Sequence, residues 1–123
     1  MSTRTADGKP TAFIVDDESM IALAIAELLT AEGIRAISFH SPSAAIEALE
    51  CMIPDFVVTD FAMPGMDGLT LAASMVQKNP GCKVVVLSGN PAAMNAHPDR
   101  HRYPVLQKPA SLHAILKALR AHL

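Results

Sequence analysis

The chain has 123 residues with a formal net charge of -2 at pH 7, and 50% of its residues are hydrophobic. This length predicts one domain with a substantial core, and the weakly acidic balance argues against a nucleic-acid-binding domain, which is usually strongly basic. Apolar runs of the ~18 residues that a membrane span needs are absent, as is a signal-peptide core near the start, so we expect a soluble cytoplasmic protein.

The first ten residues are polar and predict a flexible N-terminal tail (residues 1–10) before a domain over residues 11–123. Five short runs rich in apolar and β-branched residues then predict strands: 11–15, 35–39, 56–60, 83–87 and 105–107. Helical spacing or capping residues predict helices from Ser19 to Gly33, Ser41 to about Met52, Gly68 to Asn79, Ala92 to Ala96 and Ser111 onward. Strands that alternate with helices indicate a parallel sheet with helices on both faces.

The fourth of these helices should be short or irregular. Pro98 and the polar run Asp99-Arg100-His101-Arg102 curtail any helix that starts near Ala92. On the first helix, the spacing of large apolar residues predicts a buried face made of Ile21, Ile25, Leu28 and Leu29.

The cysteines and histidines show no metal-site pattern. Cys51 and Cys82 lack the CxxC or metal-finger spacing, which favours buried reduced thiols over an exposed redox switch. The five histidines include no pair with the spacing of a zinc protease, so we predict surface or loop positions for them.

Polar and charged residues follow four of the predicted strands. Asp16 and Asp17 come after the first strand, Asp60 ends the third, Ser88 follows the fourth and Lys108 follows the fifth. Each alone has an ordinary explanation, as a helix cap, a turn residue or a solvated charge. Because the carboxyl ends of parallel strands meet at one edge, which is where open α/β sheets bind ligands, the combination predicts a functional site.

The chemistry of these residue types suits phosphoryl transfer. Three nearby carboxylates repel one another, and a hard divalent cation such as Mg²⁺ relieves that repulsion. An oxygen of Asp60 can then attack a phosphoryl group to give an acyl phosphate. The metal and the Lys108 ammonium can neutralise the phosphoryl oxygens, and the Ser88 hydroxyl can donate a hydrogen bond to one of them.

These residues, in this order, resemble the receiver domain of two-component response regulators. The matching motifs are Asp16-Asp17, the run from Asp60 through Met63-Pro64 to Gly68, Ser88-Gly89 and Lys108-Pro109. The resemblance covers about Thr11 to Leu123, nearly the whole chain. It implies a flavodoxin-like (CheY-like), doubly wound, five-stranded parallel sheet with the strand order 2-1-3-4-5.

The resemblance also implies a role for each site residue. Asp60 would be the phosphoacceptor, supplied by a phosphohistidine on a sensor histidine kinase or phosphotransfer protein, while Ser88 and Lys108 would contact the phosphoryl group. The implied Mg²⁺ ligands are Asp17 and Asp60 directly, Asp16 through water, and the backbone carbonyl of Ala62. The lysine would pair with Asp60 when no phosphoryl group is present.

One position departs from the family pattern. Receivers usually carry Tyr or Phe three residues before the lysine, and Val105 occupies that place here. Tyr103 lies two residues earlier, and we expect it on the other side of the strand entry. A phosphorylation-dependent change over Ser88 to Tyr103 remains our hypothesis for signalling.

We therefore expect a single-domain receiver that modifies only itself and acts through phosphorylation-dependent protein contacts, as a monomer or weak homodimer without nucleic acid or membrane partners. The alternatives are a degenerate receiver that only binds partners and a receiver fragment of a hybrid histidine kinase. A phosphatase of the haloacid dehalogenase type is a further alternative, but that chemistry usually needs a second Asp where Ala62 stands.

Overall fold

The computed structural model describes residues 8–120, so most of the predicted N-terminal tail (residues 1–7) and residues 121–123 lie outside the described residues. One five-stranded sheet forms the centre of the fold. Its strands are β1 (Thr11–Val15), β2 (Arg35–Phe39), β3 (Phe56–Asp60), β4 (Lys83–Ser88) and β5 (Val105–Gln107). The order across the sheet is β2-β1-β3-β4-β5 with every neighbouring pair parallel, which confirms the predicted fold class.

Within residues 8–120, four α-helices connect or follow the strands: α1 (Ser19–Ala31), α2 (Pro42–Ala48), α3 (Gly68–Lys78) and α4 (Leu112–Arg120). Helix α2 ends before the predicted Met52, because the Leu49 and Glu50 N–H groups bond to carbonyls three residues back and tighten its last turn. No helix within residues 8–120 is long and apolar enough to cross a membrane.

The predicted fourth helix is a short 3-10 helix, Pro91–Met94, followed by turns up to β5. Proline suits the first position of a helix, since its fixed φ and missing N–H cost nothing there. Pro98 cannot donate a helical hydrogen bond and disfavours helical backbone at His97, so the turn is not extended. The prediction of a short or irregular element is confirmed, although it ends at Met94 rather than Ala96.

Helices cover both faces of the sheet, as predicted. One hydrophobic cluster combines α1 and α4 with alternate residues of the central strands, and a second combines α2 and α3 with the others. The five residues of β1 are all buried, and so are the last five of β4. Such strands have no solvent-facing side, so their ends are the natural place for polar chemistry.

Two predictions about burial are wrong in part. Helix α1 packs through Ala22, Ala26 and Leu29, while Leu28 is 48% exposed. Because alanine side chains are small, the helix packs closely on the sheet through them, and Leu28 faces solvent instead. Cys82 is buried as predicted, but Cys51 is exposed in the turn after α2.

Candidate functional site

Asp60 ends the central strand of the sheet. Strands β1 and β4 flank β3, so the Asp60 side chain, 9% exposed, lies in the middle of the carboxyl edge. The next N–H, of Phe61, donates to the Leu87 carbonyl at 2.8 Å and continues the ladder to β4. The position of Asp60 is therefore set by the two strands beside it.

Gly68 fixes the other end of the loop that follows Asp60. Its N–H donates to the Phe61 carbonyl at 2.8 Å, which places the first residue of α3 against the end of β3. A Cβ at Gly68 would overlap the Asp60 carbonyl oxygen and lie 3.1 Å from the Phe61 Cα. Only glycine fits such a close approach of two backbones.

Asp16 and Asp17 extend from β1 beside Asp60. The Asp16 N–H donates to the Phe39 carbonyl at 3.1 Å, and its Oδ1 accepts the Glu18 N–H at 2.9 Å. Asp16 is 2% exposed, whereas Asp17 faces solvent. One carboxylate of the pair is thus held rigidly inside the site, and the other lies at its opening.

Lys108 forms ion pairs with a residue that follows β1 and with the last residue of β3. Its N–H donates to the Ser88 carbonyl at 2.8 Å, and the Lys108–Pro109 peptide bond is cis. From there, its Nζ lies 3.0 Å from Oδ2 of Asp16 and 3.0 Å from Oδ1 of Asp60. The lysine therefore holds both buried carboxylates with one ammonium group.

Ser88 and Ala62 complete the predicted set at the same edge. Ser88 ends β4 directly after Leu87, the register partner of Asp60, and its Oγ accepts the Asn90 N–H at 3.1 Å. Ser88 is 4% exposed, while Ala62 is exposed in the loop two residues after Asp60. All six residues predicted for the site therefore lie at the carboxyl edge of the sheet.

The carboxylates of Asp16, Asp17 and Asp60 have the chemistry of a hard-cation site. Each offers one oxygen, and these three oxygens lie within 4.8 Å of one another. Oxygen ligands of this kind suit Mg²⁺ or Ca²⁺, whereas softer metals prefer thiolate or imidazole. The residues present thus fit the magnesium ion that the resemblance implies.

The charges of the site are unevenly balanced. Burial raises the pKa of Asp60 above its ordinary value, Asp16 and Asp17 raise it further, and the hydrogen bond and charge of Lys108 oppose them. Burial lowers the pKa of Lys108, but its bonds to Asp16 and Asp60 outweigh this and the pKa is raised. One ammonium among three carboxylates leaves negative charge that a cation can compensate.

Tyr103 and Val105 lie on the same side of the sheet, contrary to the expectation that they are separated. Both are half-buried and pack against the cluster that contains Val86 and Met94. Residues two apart in an extended chain point the same way, which accounts for the correction. Burial raises the pKa of the Tyr103 hydroxyl.

The sequence patterns missed a contact that His97 makes with the loop after Asp60. His97 lies in the loop after the 3-10 helix, in agreement with the predicted surface or loop position, but its side chain is only 17% exposed. Its Nε2 lies 3.3 Å from Oδ2 of Asp67, in the loop after Asp60. The two residues are far apart in the chain, and no local spacing signals their contact.

Comparison with protein families agrees with this architecture. The model of the response regulator receiver domain matches residues 12–120. The chain belongs to the receiver domain family of response regulators.

Individual relatives and structures show how far the likeness extends. The chain is 34% identical over 101 residues to the DNA-binding transcriptional regulator NtrC of Klebsiella pneumoniae, which covers 80% of this chain and 21% of that protein. The chain therefore spans about a fifth of the length of that relative. A response regulator receiver protein from Sinorhizobium medicae has a TM-score of 0.79 and 27% identity, covering 95% of this chain and 96% of that one.

A third comparison shows the shared fold at lower identity. The response regulator TrrA from Thermotoga maritima has a TM-score of 0.78 and 21% identity over 93% of this chain and 99% of its own. Its crystal structure is a complex with Mg²⁺ and BeF.

Proposed function

We propose that Asp60 accepts a phosphoryl group from a phosphohistidine on a sensor histidine kinase or a histidine phosphotransfer protein. The observation that carries this proposal is Lys108 Nζ, which lies 3.0 Å from both Asp16 and Asp60 in a cluster of three carboxylates. A partly buried ammonium beside a buried carboxylate is well placed to contact a phosphoryl group attached to that carboxylate.

The reaction is a transfer between two side chains. An oxygen of the Asp60 carboxylate attacks phosphorus, the phosphorus–nitrogen bond of the donor breaks, and the imidazole leaves with the electron pair. Lys108 then donates to the phosphoryl oxygens, and the Ser88 hydroxyl, whose oxygen accepts the Asn90 N–H, donates its own hydrogen to one of them. Ala62 stands where a phosphatase of the haloacid dehalogenase type usually carries its second Asp, which favours a chain that modifies only itself.

A magnesium ion is the proposed cofactor of this site. Asp17 and Asp60 would hold it directly, Asp16 through water, and the Ala62 backbone carbonyl would be the third protein ligand. When bound, it neutralises negative charge on the phosphoryl group being transferred. The complex of the Thermotoga protein with Mg²⁺ and BeF supports this choice.

The surface beside the site suits a protein donor. Met20 is 79% exposed and Leu23 is 48% exposed on α1, which begins two residues after the exposed Asp17. Exposed apolar side chains at the rim of a polar cleft commonly mark a protein contact. We propose that the phosphohistidine partner docks here, and that phosphorylation alters a surface which a downstream protein binds.

Incubation with Mg²⁺ and acetyl phosphate, followed by intact-protein mass spectrometry, tests the proposal. We expect the mass of one added phosphoryl group on the wild-type chain and none on Asp60→Asn or after chelation of the metal. Glu47→Gln is the matched control, since Glu47 is an exposed acid on α2. Modification of Asp60→Asn at the wild-type level would refute the proposed acceptor.

A further inference from the structure

Residues 90–104, the β4–β5 connection, contain little regular structure. They comprise the 3-10 helix Pro91–Met94 and turns whose backbone hydrogen bonds join residues three apart, as from the His97 N–H to the Met94 carbonyl at 2.9 Å. At the end of the connection the Pro104 carbonyl accepts the Val86 N–H at 2.9 Å, but the turn bonds before it do not attach the segment to the rest of the domain. Side chains must therefore contribute much of that attachment.

His97 is one of these attachments, and its two ring nitrogens have different partners. Nδ1 accepts the Asp99 N–H at 3.0 Å, so the neutral ring carries its proton on Nε2. That nitrogen lies 3.3 Å from Oδ2 of Asp67, which puts the ring in polar contact with the carboxylate. The ring also meets Phe61 edge-on, with centroids 6.3 Å apart. Both partners outside the connection belong to the loop after Asp60.

Phe61 and Asp67 are the two ends of that loop, residues 61–67, which we call the acceptor loop. Asp67 is the N-cap of α3, and its Oδ1 accepts the Thr70 N–H at 2.7 Å. Its other oxygen faces His97. A single histidine thus contacts the loop where it leaves β3 and where it enters α3, on either side of the proposed metal ligand Ala62.

We propose that His97 is a positioning residue for the acceptor loop, which it ties to the β4–β5 connection. This inference rests on the proposed function, because the loop matters only if it helps to hold Mg²⁺ and the phosphoryl group. The contacts of His97 couple the motion of the acceptor loop to that of the β4–β5 connection. A change around Asp60 would reach the β4–β5 connection through His97, in a chain whose Val105 lacks the ring of the usual aromatic residue.

Two single substitutions can remove the contact between His97 and Asp67 independently. His97→Asn keeps a side-chain acceptor for the Asp99 N–H but lacks the N–H group that lies beside Asp67, while His97→Gln keeps an N–H group of similar reach. Asp67→Asn still caps α3, because Asn and Asp are equally good caps. Its amide N–H group then faces the Nε2 proton, so the attractive contact with His97 is lost. His101→Gln alters an exposed histidine of the same connection and is the matched control.

The first measurement is amide hydrogen exchange of residues 61–70 and 91–103 without ligand. We expect exchange roughly three- to tenfold faster in both segments of His97→Asn and Asp67→Asn, the range for loss of one ordinary polar contact. His97→Gln and His101→Gln should exchange at close to the wild-type rate. Wild-type exchange in His97→Asn and Asp67→Asn would overturn the proposal.

The second measurement is the Mg²⁺ dissociation constant by titration calorimetry, which a purely structural role would leave unchanged. We expect it to be about threefold weaker in His97→Asn and Asp67→Asn, because a loosened loop populates the binding geometry less often. His97→Gln should restore it. Faster exchange with unchanged Mg²⁺ affinity would overturn the positioning role.

The two proposals fail in different ways. A wild-type protein that binds Mg²⁺ but takes no phosphoryl group from acetyl phosphate would refute the proposed function, while the variants still decide the role of His97. Phosphorylation of the wild type together with variants unchanged in exchange and Mg²⁺ affinity would refute the role of His97 alone.

Discussion

Lys108 Nζ lies 3.0 Å from Oδ1 of Asp60, and the same atom lies 3.0 Å from Oδ2 of Asp16. The two carboxylates come from neighbouring strands, and the lysine follows an edge strand two positions away from β3 in the sheet. One ammonium group therefore links residues from three strands at the carboxyl edge of the sheet. It also compensates the charge of two acids that would otherwise be buried without a cation.

Lys108→Met should destabilise the protein, because it leaves Asp16 and Asp60 facing each other without their shared cation. We expect the free energy of unfolding at neutral pH to fall by roughly 2 kcal/mol, somewhat less than for a fully buried pair. Urea denaturation with and without Mg²⁺ measures the effect. Added Mg²⁺ should stabilise the variant more than the wild type, and Lys117→Met, an exposed lysine of α4, is the control. Equal stability of the two variants would contradict the prediction.

Asp60→Asn should have the opposite effect on stability. Because the pKa of Asp60 is raised in the folded protein, mainly by burial, the folded state binds its proton more tightly than the unfolded state does. The stabilisation linked to that proton is present below the ordinary pKa of 3.8 and is lost as pH rises through the folded value. At neutral pH we expect the free energy of unfolding of the variant to be higher by about 1 kcal/mol, because functional sites are often less stable than their neutral substitutes.

The pH dependence of this difference distinguishes the explanation from a general packing effect. Below pH 3.8 the carboxyl group is protonated and resembles the amide, so the two proteins should converge in stability. Urea unfolding in metal-free buffer from acid to neutral pH measures the difference. A gap that stays constant over this range would show that the charge of Asp60 is not its cause.

The two cysteines should differ in reactivity. Burial raises the pKa of the Cys82 thiol to about 12, whereas Cys51 is exposed. Because the thiolate is the reactive form, a disulfide reagent at pH 8 should modify one thiol quickly and the second only slowly. Cys51→Ser should remove the fast phase, and denaturant should make Cys82 react quickly in either protein. Two equally fast phases in the native wild type would refute this assignment.

The strand-end residues could be predicted from the sequence because their meeting point follows from topology alone. Asp16, Asp60, Ser88 and Lys108 each follow a recognisable strand, and parallel strands place their carboxyl ends at one edge. The order of the strands came from family resemblance, since periodicity shows that a strand exists without showing which strand lies beside it.

Features that depend on how elements rotate or how loops run were not predictable in this way. Leu28 fits a helical apolar stripe, but α1 packs through its alanines, which only the shape of the facing sheet decides. The pairing of His97 with Asp67 depends on the path of an irregular connection. Such contacts come from tertiary packing, which overrides local patterns.

Gly68→Ala should disturb both the fold and the site. The added methyl group would overlap the Asp60 carbonyl oxygen, and backbone on both sides leaves no flexible side chain to yield. We expect a loss of about 2 kcal/mol in unfolding free energy, as for other overpacked positions, together with weaker Mg²⁺ binding, because α3 must move away from Asp60. Gly81→Ala is the control, since its Cβ would meet only the Asn79 side chain at 3.5 Å, an ordinary contact. Chemical denaturation and calorimetric Mg²⁺ titration measure the two effects. A Gly68→Ala protein with the stability and Mg²⁺ affinity of the Gly81→Ala protein would show that the close approach of α3 to Asp60 does not position the site.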